Sequence, residues 1–228
     1  MPMGQAIGET VFEVIYLCFA IISGIYMLIK GKNGLSKKIG AMSLVLGAGD
    51  SFHLVPRMYA LWTSGFEENA AALGIGKLIT SITMTVFYLL LFYVWQDFYG
   101  KKEKDLEITM WVLAAARTAL CALPQNQWLS PHPPLLYGIL RNIPFAAIGV
   151  IIIIFFAKAN KTAHNKAFRF IPLAVALSFG FYIPVVLWSS AAAWVGMLML
   201  PKTMAYVWVI VMGIKVFRQS NSGGKENG

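Results

Sequence analysis

The sequence predicts an all-α integral membrane protein, a bundle of seven transmembrane helices with the N-terminus outside and the C-terminus in the cytoplasm. Hydrophobic residues make up 58% of the 228 residues and charged residues only 13%, about half the charged share of an ordinary soluble domain. Apolar runs of roughly 20 residues recur along the chain, the length that a helix needs to cross a bilayer. The connections between the runs are alternately basic and free of basic residues.

Helices are the only secondary structure that fits these runs, because lipid cannot satisfy free backbone groups and the runs are too long for barrel strands. Their predicted bounds are 8–30, 39–62, 72–98, 106–123, 135–157, 168–189 and 193–216. They form one membrane domain over residues 1–218, and a disordered cytoplasmic tail is predicted over 219–228. Proline inside four spans is expected to kink them and so make room for a cavity: Pro56, Pro144, Pro184 and Pro201.

The charge of the connections predicts the orientation. Fourteen of the nineteen Lys and Arg residues lie in or beside the connections near 31–38, 100–105 and 158–167 and in the C-terminal segment. The connections near 63–71, 124–134 and 189–192 carry none. Because basic loops stay in the cytoplasm, the N-terminus is predicted outside, in a multi-pass protein of the cell membrane.

The net charge of +9 is explained by this topology, so we do not expect nucleic acid as a partner. Cys18 and Cys121 lie within apolar runs, where neither a disulfide nor a cysteine metal site is expected. His53, His132 and His164 lie in separate segments without the spacing of metal ligands. We predict no metal and no cofactor. The predicted partners are the lipid bilayer and a small anionic ligand or lipid headgroup, and the oligomeric state is left open.

Ionisable residues inside the spans are the candidate site. Such groups are costly in a membrane and nearly always face the interior of the bundle or a wet cavity. Counted along the helices, nearly all of them fall in the outer half of the bilayer. The predicted ligand-binding residues are Glu13, Asp50, His53, Arg57, Lys77, Arg117, Arg141 and Lys202.

Helical spacing arranges these residues in stripes that are expected to converge. Asp50, His53 and Arg57 stand at i, i+3 and i+7 on the second span and share one face. Lys77 begins a similar polar stripe on the third span, which runs to Tyr88. Because the bases outnumber the acids, the cavity is predicted to be net positive, and water or an anion would relieve the cost of the surplus cations.

Three functions fit this pattern. The first is binding or transport of a small anionic solute or an anionic lipid headgroup, which Arg and Lys side chains recognise well. The second is an intramembrane enzyme acting on a lipid or prenyl substrate, with Asp50 and His53 as base and orienting partner. The third is a seven-helix sensor or retinal-binding protein with a Schiff base at Lys202. Its flanking residues do not follow the rhodopsin pattern, since Leu198 stands where microbial rhodopsins carry Asp.

Overall fold

Seven α-helices contain most of the residues that the computed structural model describes, which are 3–63, 65–188 and 192–222. The helices are α1 (Met3–Lys30), α2 (Gly34–Trp62), α3 (Ala70–Tyr99), α4 (Lys104–Ala122), α5 (Leu135–Thr162), α6 (Ile171–Trp188) and α7 (Met199–Ser222). Two short 3₁₀ helices, Pro124–Asn126 and Ala193–Leu198, precede α5 and α7. There is no strand in the described ranges, and the predicted all-α bundle of seven helices is confirmed.

Length and composition identify five of these helical segments as able to cross a membrane. They are Ala6–Lys30, Ala70–Tyr99, Leu135–Thr162, Ile171–Trp188 and Trp194–Ser222. The remaining two helices, α2 and α4, are more polar, since α2 contains Lys37, Lys38, Asp50 and Arg57. Large apolar side chains such as Ile15 and Ile22 lie exposed on the outside of the bundle, where a bilayer would cover them. The fold is therefore that of a multi-pass membrane protein.

The start of α7 differs from the predicted span at 193–216. Residues Ala193–Leu198 form a 3₁₀ helix, and the α-helix begins only at Met199. Pro201 therefore lies in the first turn, where a missing N–H removes no helical hydrogen bond, so its predicted role as a kink within a span is wrong. Lys202, the fourth residue of α7, likewise lies in the first turn.

The end of α7 also differs from the prediction of a disordered tail over 219–228. The helix continues to Ser222, so residues 219–222 are helical. The Asn221 side chain donates to the Lys30 carbonyl at 3.0 Å and accepts from the Lys32 amide at 3.4 Å. These bonds tie the last turn of α7 to the end of α1. Residues 223–228 of the predicted tail lie outside the described residues.

The helices form a ring in chain order, and a face of α3 with large aromatic side chains is buried inside it. Each helix packs against the next, α7 returns to α1 and α2, and α3 contacts α2, α4 and α5. The face of α3 contributes Phe87, Tyr88, Phe92 and Trp95, all at most 1% exposed. The Trp95 indole donates to the Phe155 carbonyl at 3.2 Å, so this residue joins α3 to α5 within the core.

Close backbone packing fixes α1 against α2. A Cβ added at Gly24 would lie 2.6 Å from the Leu44 nitrogen, and one at Gly40 would lie 2.7 Å from the Leu28 nitrogen. Glycine is needed at such positions because any side chain would push the two backbones apart. The ionisable residues of α1 and α2 are thus carried on two helices with little freedom to separate.

The two ends of the bundle differ in charge. The basic end consists of residues 31–33, 100–103 and 163–170 together with the last turn of α7. The opposite end consists of residues 65–69, 123–134 and 192–198, which contain no Lys or Arg. This difference is the basis of the predicted orientation.

Reporter fusions test that orientation. We expect green fluorescent protein fused after residue 228 to fluoresce and alkaline phosphatase fused there to be inactive, because the basic end faces the cytoplasm. Phosphatase fused after residue 131, in a connection of the opposite end, should be active. The reverse pattern at both positions would show that the bundle is inserted the other way.

Candidate functional site

An ion-paired cluster joins α1 to α2 near the opposite end. Glu9 and Glu13 stand one turn apart on α1 and are 7% and 3% exposed. The Arg57 Nε atom pairs with Glu9 Oε1 and lies 3.7 Å from Glu13 Oε1. Arg57 is therefore paired with two carboxylates of α1.

Asp50 lies deeper in the bundle, between α1 and α7. The Tyr16 hydroxyl of α1 donates to Asp50 Oδ2 at 2.7 Å, and the buried Lys202 of α7 interacts electrostatically with the same carboxylate. Lys202 Nζ also lies 4.8 Å from the ring centroid of Tyr182 and 5.4 Å from that of Tyr206. Asp50 therefore has a hydrogen-bond donor on one side and a cation on the other.

These groups line one pocket at the opposite end, between α1, α2 and the start of α7. The pocket is about 50 Å³ in volume, enough for a few water molecules or a small ion and well below the roughly 300–1,000 Å³ that hold drug-sized ligands. Its ionisable lining residues are Glu9, Glu13, Asp50, His53, Arg57 and Lys202. Five of the eight predicted site residues are thus brought together, and Glu9 is added to them.

The lining of this pocket is not net positive. Its three carboxylates face two permanent cations and the imidazole of His53. The His53 ring bonds to the backbone of Leu73, and among the described residues its Nδ1 atom has no partner. The predicted surplus of positive charge in this cavity is therefore not found.

The surplus cations lie on the other side of the ring. Arg117 of α4 is 2% exposed, and its Cζ atom lies 3.3 Å from the ring centroid of Phe145 on α5. The thiol of Cys121, one turn along α4, is a hydrogen-bonding neighbour of the guanidinium. Across the described part of the chain, Arg117 has no carboxylate partner, and its Nε and Nη1 atoms have no hydrogen-bond acceptor.

Arg141 of α5 is held by neutral groups. Its Nη1 atom donates to Asn126 Oδ1 at 2.7 Å, and its Cζ atom lies 4.2 Å from the ring centroid of Trp128. The Asn126 amide nitrogen in turn bonds to the carbonyls of Leu120 and Leu123, at 2.7 and 2.9 Å. Arg141 therefore fastens α5 to the turn that ends α4.

Tyr182 of α6 connects the cations. Its ring lies below Lys202 Nζ, and its hydroxyl donates to Asn142 Oδ1 at 3.1 Å. Both Arg117 and Arg141 are close enough to Tyr182 to interact with it electrostatically. Three cations, Lys202, Arg117 and Arg141, thus surround one phenol. We call these three residues with Tyr182 the cationic cluster.

Lys77 is exposed and does not line the pocket. It still lies close enough to His53, Arg57 and Arg141 to interact with them electrostatically. The hydroxyl groups of the polar stripe predicted on α3 bond to the backbone of α3 itself. The Ser81 hydroxyl donates to the Lys77 carbonyl, and the Thr85 hydroxyl donates to the Ser81 carbonyl. The eight predicted residues therefore form two groups that share Lys202, with Lys77 outside the pocket but within electrostatic reach of both groups.

Several residues of these groups were not among the sequence candidates. Glu9 stands four residues before Glu13, a spacing that places both carboxylates on one face of α1 and could have identified it. Tyr16, Asn126 and Trp128 carry no such signal, because their roles depend on contacts between distant segments. In the described ranges, no three His, Cys, Asp or Glu side chains are grouped so as to hold a metal ion.

Comparison of the chain with protein-family models, with characterised proteins and with solved structures found no match.

Replacing Asn126 with alanine tests how the cationic cluster is held. The substitution leaves Arg141 without its acceptor and at least two helix-end carbonyls without their donor, so we expect the protein to lose about 2 kcal/mol of stability. In a chain of this size, the midpoint of thermal unfolding in detergent should fall by about 4–8 °C.

Gln125→Ala, at the exposed neighbouring position, is the matched control and should leave the midpoint unchanged. Equal midpoints for the two variants would show that the Asn126 contacts do not stabilise this end of the bundle.

Proposed function

We propose that the protein is a multi-pass cell-membrane protein that binds a small anion, a carboxylate or a phosphate, at the cationic cluster. The observation that carries this proposal is Arg117. It is a permanent cation, 2% exposed, with no carboxylate partner and two unsatisfied donor atoms within the described part of the chain. A buried charge in that condition costs several kcal/mol, and a bound anion would offset the cost.

The arrangement of the other charges supports an anion over a cation. Glu9 and Glu13 of α1 are already paired with Arg57 of α2. Arg117 and Arg141, in contrast, have only neutral side chains as hydrogen-bond partners. Arginine offers paired donors that match the oxygens of carboxylates and phosphates. The first turn of α7, which holds Lys202, adds the positive end of a helix dipole.

Lys202 links the pocket to the cationic cluster. It lines the pocket at the opposite end and also contacts Tyr182, and it interacts electrostatically with Arg117. An anion bound at Lys202 would therefore also lie within electrostatic reach of Arg117. The small volume of the pocket, about 50 Å³, suits a single small group and is too small for retinal.

Binding is better supported than transport. From Tyr88 to the basic end, α3 fills the centre of the bundle with Leu91, Phe92, Val94 and Trp95, all at most 1% exposed. An anion could pass only if these side chains moved apart, since a core of this density leaves no channel. The proposal is therefore a site that is loaded from the opposite end.

Replacing Arg117 with methionine tests the proposal through thermal unfolding of the purified protein. Sodium phosphate or sodium acetate, compared with sodium chloride at equal ionic strength, should raise the midpoint of the parent protein by about 3–6 °C at ten times the dissociation constant. Arg117→Met should abolish that rise. Without the anion it should be at least as stable as the parent, because an unpaired buried charge has been removed.

Arg169→Met is the matched control, because the exposed Arg169 also stacks on a phenylalanine, with its Cζ atom 4.2 Å from the ring centroid of Phe170. It should keep the full rise. If Arg117→Met responds to the anions as the parent does, or if no anion raises the parent's midpoint, the proposal is wrong.

A second candidate function, an intramembrane enzyme acting on a lipid or prenyl substrate, rests on Asp50 and His53. Both line the pocket, Asp50 is oriented by the Tyr16 hydroxyl, and the Nδ1 atom of His53 has no partner in the described ranges. Apolar neighbours such as Phe12 and Leu54 would accept the start of a hydrocarbon chain. A carboxylate with an adjacent imidazole is a common acid–base pair.

Incubating the protein with bilayer lipid extract and measuring product by mass spectrometry tests this second function. Turnover should fall at least about 100-fold in Asp50→Asn, since removal of a general base typically costs that much. Asp97→Asn, at a carboxylate paired with Lys38 near the basic end, should retain full turnover. Equal turnover in parent and Asp50→Asn would exclude the enzyme that we describe.

A further inference from the structure

A second pocket lies at the basic end, where α3 and α5 finish side by side. Its volume is about 250 Å³, several times that of the pocket at the opposite end. Phe98, Tyr99 and Lys101 line it from the end of α3, and Thr162 and His164 line it from the end of α5 and the residues that follow. Neither the candidate site nor the proposed anion binding uses these residues.

The walls of this pocket are fixed by hydrogen bonds between distant segments. The Tyr99 hydroxyl donates to Asn160 Oδ1 at 2.8 Å, and Lys166 Nζ donates to the Asn160 carbonyl at 2.8 Å. The Asn165 amide donates to Gln219 Oε1 of α7 at 3.0 Å. The connection after α5 is therefore anchored to α3, α5 and α7, and the pocket between them has a defined shape.

The lining of this pocket is basic. Lys101 and His164 are its ionisable members apart from the Tyr99 phenol, and none of the described residues that line it is acidic. The carboxylate nearest along α3, Asp97, is paired with Lys38 at 2.7 Å. The Thr162 hydroxyl adds a neutral polar group. This set of groups, with one charged donor, neutral polar donors and no carboxylate, fits a phosphate.

The position of the pocket points to a phosphate that belongs to a lipid. Both α3 and α5 end beside it, and the ends of membrane helices lie at the level of the headgroups. Ile154, about two turns back along α5, is exposed on the outside of the bundle and offers an apolar surface to an acyl chain. Basic pockets between helix ends at the cytoplasmic side are typical binding places for anionic headgroups.

We propose that this pocket binds the phosphate of an anionic phospholipid from the leaflet at the basic end, with Lys101 as its charged donor and the ring N–H of His164 as a second donor. The lipid would hold the ends of α3 and α5 together. This site is separate from the cationic cluster, and neither proposal depends on the other.

Native mass spectrometry of the full chain tests this proposal. The protein is equilibrated in mixed vesicles of phosphatidylglycerol and phosphatidylcholine, extracted in a neutral detergent, and the retained lipid is counted. The parent should retain phosphatidylglycerol in preference to phosphatidylcholine. The double variant Lys101→Gln/His164→Gln should retain about 5- to 10-fold less phosphatidylglycerol, because the Lys101 charge and the His164 ring donor to its phosphate are gone.

Lys102→Gln/Lys104→Gln is the matched control, because it removes two charges close to Lys101 in the sequence, one in the same connection and one at the start of α4, that do not line the pocket. It should reduce retention less than about twofold, as expected for general surface attraction alone. An equal or larger loss in this control would overturn the proposal, since the charge of the whole basic end would then explain the binding.

Two further measurements separate the possible sources of the phosphate. Millimolar inorganic phosphate should leave the bound lipid in place, whereas its displacement would show a site for free phosphate and overturn the lipid assignment. Arg117→Met should retain phosphatidylglycerol as the parent does. A failure of the anion proposal for the cationic cluster can therefore be told apart from a failure of this one.

Discussion

The cost of burying charge is the constraint on which this bundle depends, because a cation inside a membrane protein needs a carboxylate, water or a ligand. The protein meets that need unevenly. Arg57 lies between two carboxylates of α1, and Lys202 interacts with Asp50. Arg141 is held by an amide and an indole, whereas Arg117 has an aromatic face and a thiol. The cations near α1 are therefore compensated by carboxylates, whereas Arg141 of α5 and Arg117 of α4 have no carboxylate partner among the described residues. An additional anion would have the largest effect at Arg117.

The separation of charges follows from the packing of the helices. The glycines of α1 and α2 bring these two backbones into close contact. The acids of α1 can therefore reach Arg57, and Tyr16 of α1 can reach Asp50. The large side chains of α3, among them Phe87 and Tyr88, occupy the centre and divide the ring. Tyr182 reaches both sides, since it contacts Lys202 and interacts with Arg117. A substitution of Tyr182 would therefore change the surroundings of both Lys202 and Arg117.

The sequence predicted the fold well and the site only in part, for a physical reason. Apolar length and loop charge identify helices, so seven were found with ends within six residues of those in the structure. Helical spacing correctly placed Asp50, His53 and Arg57 on one lining, because a period of 3.6 residues determines which side chains share a face. Spacing does not determine which helices are neighbours around the ring. Arg117 and Arg141 were therefore placed beside acids that lie on the other side of α3, and the role of Asn126 was not visible at all.

The two proposed sites impose different requirements on the same fold. The cationic cluster is enclosed, and its Arg117 is 2% exposed, so a ligand gains strong electrostatic attraction there but must first lose its water. The pocket at the basic end is open, and its attraction is weaker because water screens Lys101 and His164. A lipid compensates for that weakness, since its acyl chains are already held in the bilayer and only the headgroup must be ordered. Both proposed sites would therefore use the same surplus of basic residues. One part of that surplus lies in the interior, where a small anion would bind, and the other lies at the membrane interface, where a lipid phosphate would bind.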